Sequence, residues 1–366
     1  MRPFGLFFYF CEKLNHMSSF YKLSIKEISK ETADAVSILF NVPNELQSHY
    51  TFVAGQYVNL KVTLDGQEIR RAYSICSSPK SGELRIAVKA IKTGFFSKFA
   101  NEKLAVGNVI EVGTPEGKFT FEPKAERQKN YTAFVAGSGI TPVFSILKSV
   151  LEEEPNSTFV LVYGNKSEND TIFYNQIHNL QLQYVGRLLV QYVYSQSTAD
   201  NALVGRIDKT TVNYILKNKH AEMNFSKFYL CGPEEMINLV TASLKEHNVS
   251  DSDIKFELFS TSSNKNESVG GADGHTKISI LVDDEETTFE MSQQQTLLEA
   301  ALKQGLDVPY SCQGGICSSC ICKITEGTAE MKKNQILSDA EVAEGLTLAC
   351  QAHPTSATIK IDFDAV

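Results

Sequence analysis

Short apolar runs separated by turn residues occupy the first third of the chain. Within each run, apolar and polar side chains alternate over a few positions, which indicates half-buried β-strands. The runs, within about residues 18–122, are YKLSIKEIS, AVSILFNV, QYVNLKVTL, ELRIAVKAI and VIEVGTPEG. Short strands at such regular spacing are typical of a β-barrel. We therefore predict an antiparallel barrel domain over residues 18–125.

The pattern changes after about residue 130. Continuous apolar runs, typical of strands that are buried on both faces, are now each followed by a stretch with helical periodicity. These runs are TAFVAG, FVLVYGN, LLVQYVYS and KFYLCG. The alternation of strand and helix predicts an α/β domain with a parallel sheet over residues 126–259.

A change in composition marks the next boundary. Residues 260–275, STSSNKNESVGGADGH, are rich in Ser, Asn and Gly, which predicts a flexible linker. After them, KISILVDDEETTFEM predicts two strands around an acidic turn, and TLLEAALKQG predicts a helix that ends at Gly305. Residues 276–366 are therefore predicted to form a small α+β domain.

The first 17 residues match none of these three units. They contain a short apolar run from Pro3 to Cys11, which is short for a signal sequence and lacks a small-residue cleavage site. We interpret residues 1–17 as a disordered or spurious extension, with Met17 as an alternative start. A weak membrane-surface anchor is the other interpretation.

The chain has no run of about 20 apolar residues, so no transmembrane helix is predicted.

Charge is unevenly distributed along the chain. The 366 residues are 42% hydrophobic, enough for two or three cores, and carry a formal net charge of −8. Residues 276–366 contain 6 Lys and Arg against 14 Asp and Glu, so the whole excess lies there. This distribution suits electrostatic steering toward a basic docking face on a partner, and charge for solubility explains it equally well. A nucleic-acid partner would need a basic stripe, which this chain lacks.

Four of the eight cysteines follow a recognisable spacing. Cys312, Cys317 and Cys320 lie in SCQGGICSSC, and Cys350 follows at a distance. C-x4-C-x2-C with a remote fourth cysteine is the ligand spacing of a plant-type [2Fe–2S] cluster. The alternative is a zinc site, which usually pairs two C-x2-C knuckles, and only one is present. We therefore predict that these four residues bind a [2Fe–2S] cluster.

The other cysteines are Cys11, Cys76, Cys231 and Cys322. Their spacing follows no disulfide framework, so a reducing cytoplasm fits the sequence. Cys322 lies two residues past a predicted ligand, and we predict that it is a small buried residue rather than an alternative ligand.

Two motifs in the barrel segment suggest a flavin site. In Arg71-Ala72-Tyr73-Ser74, an aromatic ring can stack on a flavin, a hydroxyl can hydrogen-bond its N5, and a guanidinium can hold a phosphate. Gly94-Phe95-Phe96-Ser97 opens a helix-like segment after Val88-Lys89-Ala90. A glycine at a helix N-terminus presents bare N–H groups to a pyrophosphate. At least one of Phe95 and Phe96 is expected in the core.

Two further motifs follow strands of the α/β segment. Gly137-Ser138-Gly139-Ile140-Thr141-Pro142 lies between a predicted strand and a predicted helix, which is the context of a dinucleotide phosphate site. Cys231-Gly232-Pro233 ends another strand and begins another helix. Ligands of open α/β sheets bind outside the carboxyl ends of the strands, so Cys231 is placed to contact a nicotinamide. For this cysteine alone, a buried strand-end residue is the alternative.

The order of these motifs resembles that of the ferredoxin–NADP reductase superfamily fused to a C-terminal plant-type ferredoxin. The similarity covers about residues 18–366 and rests on R-x-Y-S, G-x-x-S, G-x-G-x-T-P, C-G-P and the four spaced cysteines. It implies a multidomain fold with an FAD-binding antiparallel β-barrel, an α/β parallel-sheet domain that binds NAD(P), and a β-grasp ferredoxin domain.

The resemblance also implies cofactors and site residues. FAD and a [2Fe–2S] cluster would be bound, and NADPH or NADH would be the electron donor, with Glu257 and Phe259 beside the flavin. Ser74 and Cys231 are the predicted catalytic residues, at the flavin N5 and at the nicotinamide. The other predicted cofactor-binding residues are Arg71, Tyr73, Val88, Lys89, Gly94, Phe96, Ser97, Gly137, Gly139, Thr141, Pro142, Lys166, Ser195, Arg206, Gly232 and Pro233.

One departure leaves the nucleotide preference open. NADP-using members of the superfamily often have Ser-Arg where this chain has Ser195-Gln196 after LLVQYVYS. A neutral amide cannot replace a guanidinium at a dianionic phosphate. Lys166 and Arg206 are the candidate substitutes.

Together these features predict an oxidoreductase that passes electrons from NAD(P)H through FAD and the cluster to an oxygenase or desaturase component. A flavin can convert a two-electron hydride into the single electrons that a cluster accepts. A stand-alone NAD(P)H reductase of quinones or small acceptors is the alternative, and the sequence does not locate the acceptor pocket that it would need. A binding protein that has lost its cofactors is disfavoured, because the ligand cysteines and flavin residues are intact.

Overall fold

The computed structural model describes residues 20–64, 66–92, 94–259 and 274–366. The predicted extension 1–17 lies outside these ranges, as do residues 260–273 of the predicted linker. Three main sheets organise the described part: the first is antiparallel, the second is parallel and the third is mixed.

The first sheet forms the predicted barrel. Its elements are β1 (Phe20–Thr32), β2 (Ala35–Asn41), β3 (Tyr57–Leu64), β4 (Gln67–Ser74), β5 (Leu84–Lys89), β6 (Val109–Gly113) and the helix α1 (Phe95–Glu102). The strands lie in the order β4-β3-β6-β1-β2-β5. A bridge between Ile75 and Ile86 brings the end of β4 to β5, which closes the sheet. Inward-facing residues such as Leu23, Ile38 and Leu60 fill the interior and are fully buried.

The second sheet is six-stranded and entirely parallel. Its strands are β7 (Asn130–Ala136), β8 (Thr158–Asn165), β9 (Leu188–Tyr194), β10 (Ala202–Val204), β11 (Phe225–Cys231) and β12 (Ile254–Glu257), in the order β10-β9-β8-β7-β11-β12. Its helices are α2 (Ile140–Glu153), α3 (Tyr174–Gln183), α4 (Lys209–Asn213) and α5 (Glu234–Glu246). The strand order reverses between β7 and β11, which creates a crevice at their carboxyl ends.

The third unit has its own core. Its elements are β13 (His275–Val282), β14 (Glu285–Ser292), α6 (Leu297–Lys303), β15 (Ile321–Glu326), β16 (Ala329–Met331), α7 (Asp339–Ala343), β17 (Leu346–Leu348), β18 (Ala352–Pro354) and β19 (Thr358–Asp362). The main sheet has the order β14-β13-β19-β15-β17, and β16 pairs with β18. Reciprocal hydrogen bonds between Thr296 and Glu299 cap α6, and Gly305 follows it with a positive φ, as predicted.

The predicted fold class is confirmed by these three sheets. One detail of the prediction was wrong, because β9 is followed by β10 and not by a helix. The segment between them, SQSTADN, consists of small and polar residues and offers no apolar stripe for a crossover helix. No helix in the described ranges is long and apolar enough to span a membrane.

Candidate functional site

The R-A-Y-S motif ends β4, where the barrel meets the parallel sheet. The ring of Tyr73 lies 5.4 Å from that of Phe96, and Ser74 is buried with its Oγ donating to Glu257 Oε2 at 3.2 Å. Arg71 is exposed, and its Nη1 donates to the carbonyl oxygen of Arg70 at 2.7 Å. One strand end therefore presents an aromatic ring, a hydroxyl and a guanidinium, the groups expected to hold a flavin nucleotide.

The G-x-x-S motif begins α1. A Cβ on Gly94 would lie 2.2 Å from Ser97 Oγ, so this tight turn requires glycine. Within the described chain no side chain caps this end of the helix, so its first N–H groups are available to a phosphate. Phe96 is buried in the barrel core, whereas Phe95 is 67% exposed.

Val88 and Lys89, both predicted to bind a cofactor, lie in different surroundings. Val88 is fully buried in the barrel core, so only its backbone can reach a cofactor. Lys89 ends β5 and lines the cavity at the parallel sheet, because the end of β5 packs against the turn at Gly137–Gly139. The structure thus groups Lys89 with the nucleotide-site residues rather than with the barrel motifs.

Three titratable or hydroxyl side chains meet between the barrel and the parallel sheet. Cys231 and Glu257 are paired across β11 and β12, and Ser74 donates to the same carboxyl group. Burial raises the pKa of Glu257 to about 8, against the opposing effect of the Ser74 hydrogen bond. Burial, and then the charge of Glu257, raises the pKa of the Cys231 thiol well above its ordinary value. The pKa values of both groups are thus shifted in the direction that favours their neutral forms.

A cavity of about 620 Å³ opens at the carboxyl ends of β7, β8, β9 and β11. Residues from every one of these strand ends line it, as expected for a ligand site at a topological switch point. The predicted residues that it brings together are Lys89, Gly137, Gly139, Lys166, Ser195, Arg206, Gly232 and Pro233.

The glycine turn after β7 is shaped by a close approach of two strand ends. A Cβ on Gly139 would lie 2.3 Å from the carbonyl oxygen of Cys231, so the two turns can pack together only with glycine at this position. Gly137 adopts a positive φ of 55°. Thr141 and Pro142 are buried in α2 outside the cavity lining, and Thr141 Oγ1 donates to the carbonyl oxygen of Ser138 at 3.1 Å. In the structure, Thr141 and Pro142 therefore shape the turn and do not line the cavity.

The far end of the cavity carries the charged candidates. Lys166 and Arg206 are exposed residues of its lining, and Ser195 lies between them in the sheet order. The side-chain oxygen of Asn165 is buried without a hydrogen-bond partner among the described residues, and its side chain also contacts Tyr163. Unpaired buried polar atoms in a cavity wall suit a polar ligand such as a nucleotide. Gln196 lies outside this lining, and its backbone N–H donates to the carbonyl oxygen of Lys166 at 2.8 Å.

The four spaced cysteines share one site in the third unit. The thiol of Cys312 contacts those of Cys317 and Cys350, and Cys350 also contacts Cys320. These thiol contacts hold the pKa of Cys312 well below its ordinary value. They raise the pKa of Cys350 well above its ordinary value. Cys322 is fully buried in the core of this unit as a small packing residue, as predicted.

The surroundings of the four thiols fit an iron–sulfur cluster. The N–H of Gly314 points at Cys312 Sγ at 3.4 Å, and Ser311 has a buried hydroxyl with no partner among the described residues. Such groups can donate to cluster sulfurs. Across the described ranges, no three His, Cys, Asp or Glu side chains are spaced to hold a single metal ion. The spacing of the four cysteines and the N–H group aimed at Cys312 therefore fit a [2Fe–2S] cluster.

Sequence reasoning missed several residues of these sites. Asn165, Asp208, Glu235 and Met236 line the cavity. Asn165 ends β8, so the strand-end rule could have found it. Asp208 carried no such signal, because it lies in the loop before α4 and caps that helix.

The fold and these three sites define a flavin- and iron–sulfur-dependent oxidoreductase. Three family models match: an oxidoreductase FAD-binding domain at residues 22–121, an oxidoreductase NAD-binding domain at 134–242, and a 2Fe-2S iron-sulfur cluster binding domain at 280–355. The cofactors of this protein are accordingly FAD, a [2Fe–2S] cluster and a nicotinamide nucleotide.

Similarity to known proteins extends over almost the whole chain. One of the subunits of 1,2-phenylacetyl-CoA epoxidase from Escherichia coli K12 is 38% identical over 352 residues, which cover 95% of this chain and 99% of the relative. The ferredoxin reductase component of 3-ketosteroid-9-alpha-monooxygenase from Rhodococcus rhodochrous is 32% identical, with coverage of 95% and 98%. The structure of phthalate dioxygenase reductase has a TM-score of 0.58 at 21% identity, covers 94% of this chain and 98% of that one, and shows the same fold.

The chain therefore belongs to the ferredoxin–NADP reductase superfamily, in the family of reductases with a C-terminal [2Fe–2S] domain. It is an NAD(P)H-dependent electron-transfer reductase, and the predicted enzyme class and cofactors are confirmed.

Proposed function

We propose that this protein is the reductase component of an oxygenase of the phenylacetyl-CoA epoxidase type. The observation that carries this proposal is the 38% identity to the epoxidase protein over 99% of that relative's length. The identity of 32% to the 3-ketosteroid monooxygenase component supports the same class of acceptor, an oxygenase, with a different substrate.

The barrel residues have distinct roles in this proposal. When bound, FAD and the cluster supply the redox chemistry, taking two electrons from NAD(P)H and passing them on singly. Tyr73 would offer its ring for stacking, Arg71 and the N-terminus of α1 would bind phosphate, and the Ser74 hydroxyl would turn from Glu257 to donate to the flavin. Glu257 keeps a proton at neutral pH next to the Ser74 hydroxyl, where it can exchange protons with the site.

The strand-end residues bind and orient the nucleotide. The turn at Gly137–Gly139 and the N-terminus of α5 after Pro233 offer backbone N–H groups to its pyrophosphate. Cys231 fixes the position of the nicotinamide from the adjoining strand end. Lys166 and Arg206 neutralise a 2′-phosphate, so both nucleotides are used with a modest advantage for NADPH.

The third unit carries the docking surface for the oxygenase. Asp283 and Asp284 form the turn between β13 and β14, and both backbone N–H groups donate to Asp364. Burial, and then the charge of Asp364, raises the pKa of Asp283, as expected where carboxylates crowd together. We assign this acidic hairpin, residues 282–286, to contact with a basic face on the partner.

Two further assignments belong to this proposal. None of the seven described cysteines forms a disulfide, which supports a reducing cytoplasm as the location. The units are assigned to residues 18–125, 126–259 and 276–366, with 1–17 as an extension and 260–275 as a linker.

The test is reconstitution with purified oxygenase components and NAD(P)H. With the phenylacetyl-CoA epoxidase oxygenase, we expect epoxide formation coupled to nucleotide oxidation, at least about tenfold faster than with the 3-ketosteroid oxygenase. The reverse order would move the assignment to the steroid enzyme, and no turnover with either would refute an oxygenase partner.

The docking surface has a separate test. Asp283→Asn with Asp284→Asn keeps residues that tolerate a positive φ and removes two charges. Glu102→Gln with Glu126→Gln removes the same charge from exposed positions on the body. Only the hairpin variant should raise the KM for the oxygenase and weaken its salt dependence. Equal effects of the two double substitutions would show that the interaction with the oxygenase depends on net charge and not on the position of the acidic hairpin.

A further inference from the structure

The cluster loop carries two serines between its second and third cysteines. Ser318 and Ser319 each place their hydroxyl oxygen 3.0 Å from Oη of Tyr57, which lies on β3 of the barrel. Asn59 Nδ2 donates to Ser319 Oγ at 3.1 Å, and Ser319 Oγ lies 3.2 Å from Glu116 Oε2. Tyr57 Oη also donates to Glu116 Oε2 at 3.3 Å. We call these five residues the docking network.

The docking network is buried between two units that have separate cores. Tyr57, Asn59 and Ser319 are 4%, 1% and 7% exposed. Buried polar groups need hydrogen-bond partners. Tyr57, Asn59 and Ser319 have such partners on the opposite unit. A tyrosine hydroxyl keeps its proton at neutral pH, so that of Tyr57 remains a donor.

The register of the barrel connects this contact with the proposed flavin site. Tyr57 is directly paired with Ser74 across β3 and β4. Directly opposed residues of an antiparallel pair project from the same face, with Cβ atoms about 4.5–5.5 Å apart. The residue that contacts the cluster loop is thus the immediate cross-strand neighbour of the residue assigned to the flavin N5.

We propose that Tyr57 and Ser319 are positioning residues that hold the cluster loop against the flavin-binding strand pair. Hydroxyl hydrogen bonds exchange with water at little net cost, so a contact built from them fixes geometry while remaining reversible. Loss of the network lowers the docked population without removing either cofactor. The kinetic part of this inference rests on the proposed electron route, whereas the docking part does not.

The experiment uses the full-length holoprotein and four variants. Tyr57→Phe removes the hydroxyl from the barrel side, Ser319→Ala removes it from the loop side, and the double variant removes both. Tyr50→Phe is the matched control, because Tyr50 is a buried barrel tyrosine whose Oη donates to the carbonyl oxygen of Val112, within the barrel. FAD and iron contents are measured for each protein.

Two readouts are compared. Hydrogen–deuterium exchange of peptides over residues 313–321 reports docking without turnover. Reduction of cytochrome c reports electrons that have reached the cluster, whereas ferricyanide also accepts them from the flavin. For Tyr57→Phe we expect roughly two- to tenfold faster exchange in the loop and a similar fall in cytochrome c reduction, with ferricyanide reduction unchanged. The double variant should be more affected than either single variant, but by less than the product of their fold-changes, because the two share the Tyr57–Ser319 contact.

Unchanged loop exchange in both single variants with full cofactor content would overturn the proposal. Equal effects in Tyr50→Phe would also overturn it, because they would reflect general loosening of the barrel. A wild-type protein that protects the loop but fails to reduce cytochrome c would refute the proposed electron route and leave docking intact.

Discussion

The barrel meets its two neighbouring units through interfaces of opposite character. Against the parallel sheet it contributes Phe119 and Phe121, which pack edge-to-face on Tyr229 within one continuous apolar core. Against the iron–sulfur unit it contributes the hydroxyl and amide groups of Tyr57 and Asn59. The first interface resembles a domain interior, which cannot separate without exposing aromatic surface to water. The second can exchange its hydrogen bonds for water.

Ion pairs between the iron–sulfur unit and the other two units add to the polar character of its interface. Arg70 Nη2 lies 2.6 Å from Asp307 Oδ1, and its guanidinium stacks on Tyr310 at 4.7 Å. Lys118 pairs with Glu341, and Lys333 of the iron–sulfur unit lies 3.4 Å from Glu234 at the start of α5. Such partly exposed pairs contribute little each and weaken with salt. Ile316 of the iron–sulfur unit also packs in the apolar core of the parallel sheet. We infer that this small apolar contact and the polar contacts together let the iron–sulfur unit dock reversibly on one permanent body of barrel and parallel sheet.

The largest expected effect tests the independence of the iron–sulfur unit. Cys350→Ser should abolish cluster binding while leaving FAD bound, because the ligand lies in a core separate from the body. Iron content and visible absorbance measure the cluster, and released flavin measures FAD. Cys322→Ser is the matched control, since this buried cysteine packs in the same core and should retain the cluster. The reverse pattern would refute the ligand assignment.

The second prediction compares the two interfaces by substitution. Phe121→Ala should lower the free energy of unfolding of the body by about 3–5 kcal/mol, because it empties a buried aromatic site. Arg70→Ala should change it by no more than about 1 kcal/mol, since its partners Asp307 and Glu68 are both exposed and can be hydrated. Urea titrations followed by far-UV circular dichroism measure both. The cluster absorbance of the Phe121 variant should persist beyond the first transition.

The comparison would fail if Arg70→Ala destabilised the body as much as Phe121→Ala does. A salt titration of the Arg70 variant provides the control. Hydrogen–deuterium exchange of the wild-type cluster loop should accelerate with salt, and the variant should show a smaller response because one ion pair is already lost.

The same contrast explains what could be predicted from sequence. Spacing in SCQGGICSSC and the glycine turn after β7 depend on neighbouring residues, so they identify the cluster and the nucleotide phosphate site from the chain alone. The contact between Tyr57 and Ser319 joins residues 262 positions apart on different units. No local sequence pattern predicts such a pair, because Tyr57 fits the pattern of its strand and Ser319 fits the pattern of its loop without reference to the other residue.

The third prediction tests whether the apolar interface excludes water around Glu257. Its pKa is raised from 4.5 to about 8 by burial, so the folded state keeps a proton that the unfolded chain loses. The resulting stabilisation is complete below pH 4.5 and is lost as the pH rises through about 8. The melting temperature of the wild type should therefore fall relative to that of Glu257→Gln across this range. Parallel curves would mean that Glu257 is hydrated and titrates normally.

The smallest expected effect lies outside both interfaces, at the far end of the nucleotide cavity. Arg206 is an exposed residue of the lining, so Arg206→Ala should lower kcat/KM for NADPH by about tenfold, or about 1.4 kcal/mol, and leave NADH unchanged. Gln196→Ala is the control, because Gln196 lies next to the cavity but outside its lining and should leave the ratio unchanged. Because Arg206 contacts neither interface, its variant should keep wild-type exchange in the cluster loop. If NADPH and NADH slowed equally, Arg206 would bind the pyrophosphate that both nucleotides share, and Lys166 would remain as the residue that distinguishes them.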